Sequence, residues 1–142
     1  MFIYVFSSSD DMGTHAYIGK INKDDLSIKL VYVQYNGGLD YTGQMLNTHY
    51  QSENKIDTLI EKGSFPSLKE NINDIDFYTN IKGVVPEIYT FQSTKELEQF
   101  LTNHSDIEYV YMYDSAKLNT WLVSDFMDDV EMLDWQLLQL MI

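Results

Sequence analysis

The stretch VYVQYNGGLDYTGQMLNTHY, residues 31–50, sets Asn36, Gly37, Gly38 and Asp40 where a β-rich run gives way to a helical pattern, with His49 further along that pattern. A strand, a Gly-Gly turn and a helix start are also the parts of a phosphate-binding loop, in which backbone N–H groups point into an open helix N-terminus. The full motif G-x-x-x-x-G-K-S/T is absent. Asp40 would place its carboxylate at the positive end of the helix and repel a phosphate. The expectation is a simple turn. The alternative is a small-ligand or nucleotide-binding site, or an enzyme site, built from Asn36, Gly37, Gly38, Asp40 and His49. Gly43, one turn on, reads as a close packing point.

The three histidines, His15, His49 and His104, fall on separate predicted elements and show no H-E-x-x-H or similar spacing. His49 meeting Asp40 or His15 in space would make a base or a metal ligand, and the plainer reading is a structural histidine. Ser7, Ser8 and Ser9 lack the nucleophile-elbow pattern. There is no cysteine, so thiolate chemistry and disulfides are out, and all nine bases are lysines. Without arginine's planar fork, two-point recognition of phosphates is disfavoured. No catalytic residue, metal or cofactor is expected.

The acids carry a stronger signal. The chain has 22 acids and a net charge of -13, which disfavours direct nucleic-acid or membrane binding. Residues 1–70 hold nine acids and six lysines, whereas residues 71–142 hold thirteen acids and three lysines. Asp125, Asp128, Asp129, Glu131 and Asp134 crowd the start of the last apolar-periodic segment. One reading is a solvated face; the other is a surface that docks on a basic groove, its carboxylates standing in for phosphates. Tyr109, Tyr111 and Tyr113 alternate along one strand and read either as core or as a protein interface, because the flanking Glu108 and Asp114 disfavour base stacking.

The elements that must position these groups form an α+β pattern in one domain of 142 residues. HAYIGKIN and SIKLVYVQY flank the turn-forming NKDDLS and predict a β-hairpin; the second strand is apolar on both faces, as a central strand would be. Ser52 and Gly63 bracket a helix with Ile56, Leu59 and Ile60 as its stripe. Residues 64–86, with two prolines, predict a long connection holding a short helical turn. EIYTF predicts a strand, and Ser93 with Glu96 has the spacing of a capping box for a helix buried through Leu97, Phe100 and Leu101. A second hairpin follows around Ser115 and Ala116. The last segment, residues 126–142, predicts an acidic amphipathic helix with Val130, Leu133, Leu137, Leu140 and Met141 near heptad spacing. The expected architecture is an antiparallel sheet with helices on one face. Neither MFIYVF nor LLQLMI is long enough to cross a bilayer.

MGTHAYIG, YVQYNGG, YTGQMLNTHY, IEKGSFPSL and EYVYMYD, in order between Met12 and about Asp125, together resemble a small uncharacterised family of phages, prophages and their bacterial hosts. Its members begin MGT, continue to an Ile-Gly pair, and carry a Y-x-H-W-D-G-Y-P block before a V-G-x-x-L-x-x-H-Y helix. Where the family block has His, Trp, Asp and Tyr this chain has Gln34, Tyr35, Asn36 and Gly38, and Leu39 stands at the proline. The resemblance assigns no catalytic residue. It implies a mobile-element setting, and it makes residues 1–11 either an added edge strand or an upstream extension.

The resulting expectation is a non-enzymatic, cytoplasmic protein-binding module, encoded by a phage or prophage, that inhibits or modulates a host or defence protein with a basic surface. Its contact residues would be the five acids from Asp125 to Asp134 with Tyr109, Tyr111 and Tyr113. Oligomerisation through the final helix is a further alternative.

Overall fold

The computed structural model describes residues 14–104, 106–125 and 134–142. Two hairpins build the centre of one sheet. Strand β1, His15–Ile21, runs antiparallel to β2, Ile28–Val33, with Ile21 opposite Ile28 at the turn. The turn is held by Asn22, whose side-chain oxygen accepts the N–H groups of Asp24 and Asp25, while Leu26 takes φ 62°. β4, Ile107–Asp114, pairs antiparallel with β5, Thr120–Asp125. There the Asp114 carboxylate accepts from the amides of Ala116 and Lys117, each at 3.0 Å, so a short acid closes the turn as such residues do.

A short strand flanks each hairpin. β3, Tyr89–Phe91, pairs with β2, and β6, Gln136–Leu137, pairs with β5, giving the order β3-β2-β1-β4-β5-β6. β1 and β4 run parallel. The sheet is therefore mixed rather than antiparallel: each hairpin contributes its first strand to the seam, and first strands of successive hairpins point the same way. The connection between them runs through β3 and α3, Thr94–Leu101, as a parallel pair requires.

Helices cover both faces, not one. α1, Gln44–His49, and α2, Glu53–Glu61, place Leu46, Ile56 and Leu59 on Ala16, Ile18, Val31 and Val33. α3 sets Leu97 and Leu101 on Tyr17, Ile28, Leu30 and Met112 of the opposite face. Truncating either apolar set at a leucine would cost about 2–5 kcal/mol. The caps are those the spacing predicts: Ser52 accepts from Lys55 N, Ser93 from Glu96 N, and the Glu96 carboxylate reaches back to Gln92 N. Gly63 ends α2 at φ 88°, where a Cβ would also strike Glu87 N at 2.9 Å. Residues 64–86 form the expected connection, with two 3₁₀ turns, Ile72–Asp74 and Tyr78–Asn80.

The final segment departs from the expected helix over its described part. Gln136 and Leu137 extend the sheet along β5, and Leu138–Leu140 is a 3₁₀ turn. A run of apolar residues this short satisfies either period, and pairing with the exposed edge of β5 decides for the strand. Leu138 alone is fully buried there, while Leu140 is 75 % exposed. Residues 126–133, and the extension or edge strand expected over residues 1–11, lie outside the described residues. No described helix is long and apolar enough to cross a membrane.

Candidate acidic surface at the diglycine turn

The diglycine turn is fastened toward the sheet at two points and closed on itself by a third bond. Gly37 N–H donates to Thr14 O at 3.0 Å, Thr42 Oγ1 donates to Asn36 O at 2.7 Å, and Tyr111 Oη donates to Gly37 O at 2.7 Å. Asn36, not a glycine, takes the positive φ of 60°. Gly37 is required by close approach instead: a Cβ there would lie 2.8 Å from Ala16 Cβ and 3.0 Å from Thr14 O. Gly37 lets the turn lie against β1, and its amide, which a phosphate would need, is already spent. Beyond the turn, Leu39–Gly43 forms a π-helical turn leading into α1, with Asp40 exposed in it. A Cβ added at Gly43 would meet Leu138, Ile142 and Leu39 only at ordinary van der Waals distance, 3.4–3.5 Å, so the close packing expected at this glycine does not require it.

Asp40 and His49 do share a surface depression, of about 190 Å³, with Tyr41, Gln44 and Glu70. His49 Nε2 lies 3.0 Å from Glu70 Oε1, with both side chains substantially exposed. His15 is held elsewhere, its Nδ1 2.6 Å from Gln34 O, and His104 Nδ1 lies 2.6 Å from Phe100 O. Among the described residues no three His, Cys, Asp or Glu side chains converge closely enough to hold a metal ion. The two carboxylates at this open depression, Asp40 and Glu70, repel a phosphate.

The tyrosine strand divides. Tyr111 and Tyr113 are buried in the core under α1 and α2, so neither offers its ring to a partner. Tyr113 packs edge-on against Trp121, whose Nε1 donates to Tyr50 O at the end of α1. Tyr109 is half-buried at the start of β4, stacked on Tyr111 with centroids 6.0 Å apart.

Around Tyr109 the structure unites residues that the sequence assigned to separate sites. Asp125 is its cross-strand partner on β5. Burial raises the Tyr109 hydroxyl above its ordinary pKa, and the charges of Asp125, Glu108 and Asp40 raise it further. Tyr111 is raised in the same way, first by burial, with Tyr109, Asp40 and Asp125 contributing. The Asp40 of the turn and the Asp125 of the acidic tract therefore act on one point. Asp134 sits close by in the chain's return, its N–H on Ser124 Oγ at 3.1 Å; Asp128, Asp129 and Glu131 lie outside the described residues. Glu108 is the residue sequence reasoning passed over, used there only as a flank of the tyrosines.

Lys20, beside α2, and Lys55, on it, are occupied. Lys20 bridges Asp57 at 2.6 Å and Glu53 at 3.0 Å, and Lys55 donates to the carbonyls of His49 and Glu70 while lying 4.1 Å from the Tyr50 ring centroid. Comparison with protein-family models, with curated proteins and with solved structures finds no match for this chain.

Proposed function

We propose that this chain is a small acidic protein-binding module whose partner presents a basic surface. The observation that carries the reading is the pairing of Asp125 opposite the half-buried Tyr109 across β4 and β5, with Glu108 and Asp40 near enough for their charges to act on the same hydroxyl, on a chain of net charge -13. Such a surface steers a basic partner by long-range attraction and fixes it by contact. Asp134, whose N–H is held on Ser124 beside Asp125, extends the acidic set, and the set stands in for the phosphates of a nucleic acid in a basic groove. The resemblance to the phage-associated family supports a setting in which the partner is a host or defence protein, met in the host cytoplasm.

The ligand-site alternative is supported by the depression that Asp40 shares with His49, and opposed by its two carboxylates and by the committed Gly37 amide. The test is titration with an oligolysine peptide followed by NMR. Amide shifts centred on Asp40, Tyr109 and Asp125 are expected. Shifts confined to other surfaces would overturn the proposal.

A further inference from the structure

The opposite face of the sheet carries a second surface, at the C-terminal end of α3. Tyr17, 3 % exposed, forms its floor. Around it stand Tyr32, Tyr89, Phe100 and His104, with ring centroids 5.8, 5.8, 5.7 and 6.4 Å from that of Tyr17. His15 extends the cluster, 5.8 Å from Tyr32. All five surrounding rings are half-buried, so each keeps a part of its ring toward solvent. Ring centroids in this cluster lie 4.0–6.4 Å from their neighbours, so the rings form one contiguous patch whose outer faces are open to a flat cation.

Three sources make that surface negative. Ring faces are themselves electron-rich. The last carbonyls of α3, together with its dipole, point toward this end. Glu87 and Asp106, both exposed, act on the same hydroxyls: burial is the first cause that pushes Tyr32 up to about 12, with the charges of Asp106 and Glu87 adding to it, and Tyr89 is also pushed up to about 12, first by burial and then by Glu87.

We propose that this aromatic platform, floored by Tyr17 and rimmed by Glu87 and Asp106, receives arginine side chains of a basic protein partner. The proposal rests on the reading of the chain as an acidic module with a basic partner, and it adds a chemistry that charge alone does not supply. A guanidinium is planar, weakly hydrated and stacks on aromatic faces, whereas a lysine ammonium is a compact, strongly hydrated point charge better served by an enclosing cage. A contiguous platform with carboxylates at its margin suits the first. The chain has no arginine of its own to fill it.

The probes are oligoarginine and oligolysine peptides of equal length, titrated calorimetrically and by NMR against the whole chain. Oligoarginine is expected to bind at least three-fold more tightly, and to move the ring resonances of Tyr32, Tyr89 and Phe100. Tyr32→Leu and Tyr89→Leu, tested singly, should bring the two affinities together while leaving oligolysine binding unchanged. Glu87→Gln with Asp106→Asn, at exposed positions that do not threaten folding, should lower the oligoarginine affinity several-fold. Equal wild-type affinities for the two peptides, or ring resonances that stay fixed, would overturn the proposal even with oligolysine still bound at Asp40 and Asp125. Loss of oligolysine binding with the arginine preference kept would instead sink the Tyr109 surface and leave this one standing.

Discussion

Tyr111 donates its hydroxyl to the carbonyl of Gly37 at 2.7 Å, across 74 residues of chain. This bond ties the diglycine turn to β4, and with it Asp40 to the strand that carries Glu108 and Tyr109. The turn is thereby a structural joint between the approach to α1 and β4, with the Gly37 carbonyl committed to it.

Tyr111→Phe removes the donor and keeps the ring. It leaves the buried Gly37 carbonyl without this partner, so chemical denaturation should show a loss of about 1–3 kcal/mol with little change in slope. A loss below about 0.5 kcal/mol would mean that the turn is held to the sheet by the Thr14 bond without help from Tyr111.

The two glycines should respond differently. Gly37→Ala drives a methyl against Ala16 and Thr14 and should cost about 1–3 kcal/mol. At Gly38, φ is -73° and the nearest atom to an added Cβ is Asp40 Oδ1 of an exposed side chain at 3.1 Å, so Gly38→Ala should fall within about 0.5 kcal/mol of wild type. Millimolar nucleotide should leave the melting temperature of the wild-type chain unchanged, because a ligand that binds only the folded state must raise it.

Local signals in the sequence were reliable here because the physics behind them is local. Ser52, Gly63, and Ser93 with Glu96 mark their helix ends by bonds spanning a few residues, and the turn chemistry of Asn22 and Asp114 marks both hairpins. What the sequence hid was non-local. The parallel pairing of β1 with β4 joins residues far apart in the chain, and no short pattern encodes it. Period-2 alternation told Tyr111 and Tyr113 from Val110 and Met112 but not which face would be covered; with helices on both, all four are buried. The candidate site was legible as Asp40, Tyr109 and Asp125 separately. Their meeting depends on that same unseen seam and on β5 lying beside β4. The aromatic platform went unread because Tyr17, Tyr32, Tyr89 and Phe100 come from four different elements.

Stability should fall at alkaline pH. Tyr32 and Tyr89 sit at about 12 in the folded chain, chiefly through burial, against about 10 when unfolded. Below about 10 both states hold the proton and the stabilisation is complete; above it the unfolded chain releases protons that the folded chain retains, so stability declines between about 10 and 12. Near-ultraviolet tyrosinate absorbance should therefore lag behind an ordinary tyrosine titration and rise together with the loss of far-ultraviolet circular dichroism. Full ionisation near pH 10 with the dichroism intact would contradict the burial of these hydroxyls.

The proposed binding of a basic partner rests on the carboxylates around Tyr109. Calorimetric titration of an oligolysine peptide into the wild-type chain and into Asp40→Asn/Glu108→Gln/Asp125→Asn, at low and at high salt, tests it most directly. Exposed charge pairs contribute about 0.5 kcal/mol each, so three of them amount to roughly a tenfold loss of affinity in the triple variant, with stability nearly unchanged. Wild-type affinity should also weaken as added salt shortens the screening length from about 10 Å at 0.1 M, and the variant should depend on salt less steeply. Equal affinities for the two proteins, with the same salt dependence, would contradict the account.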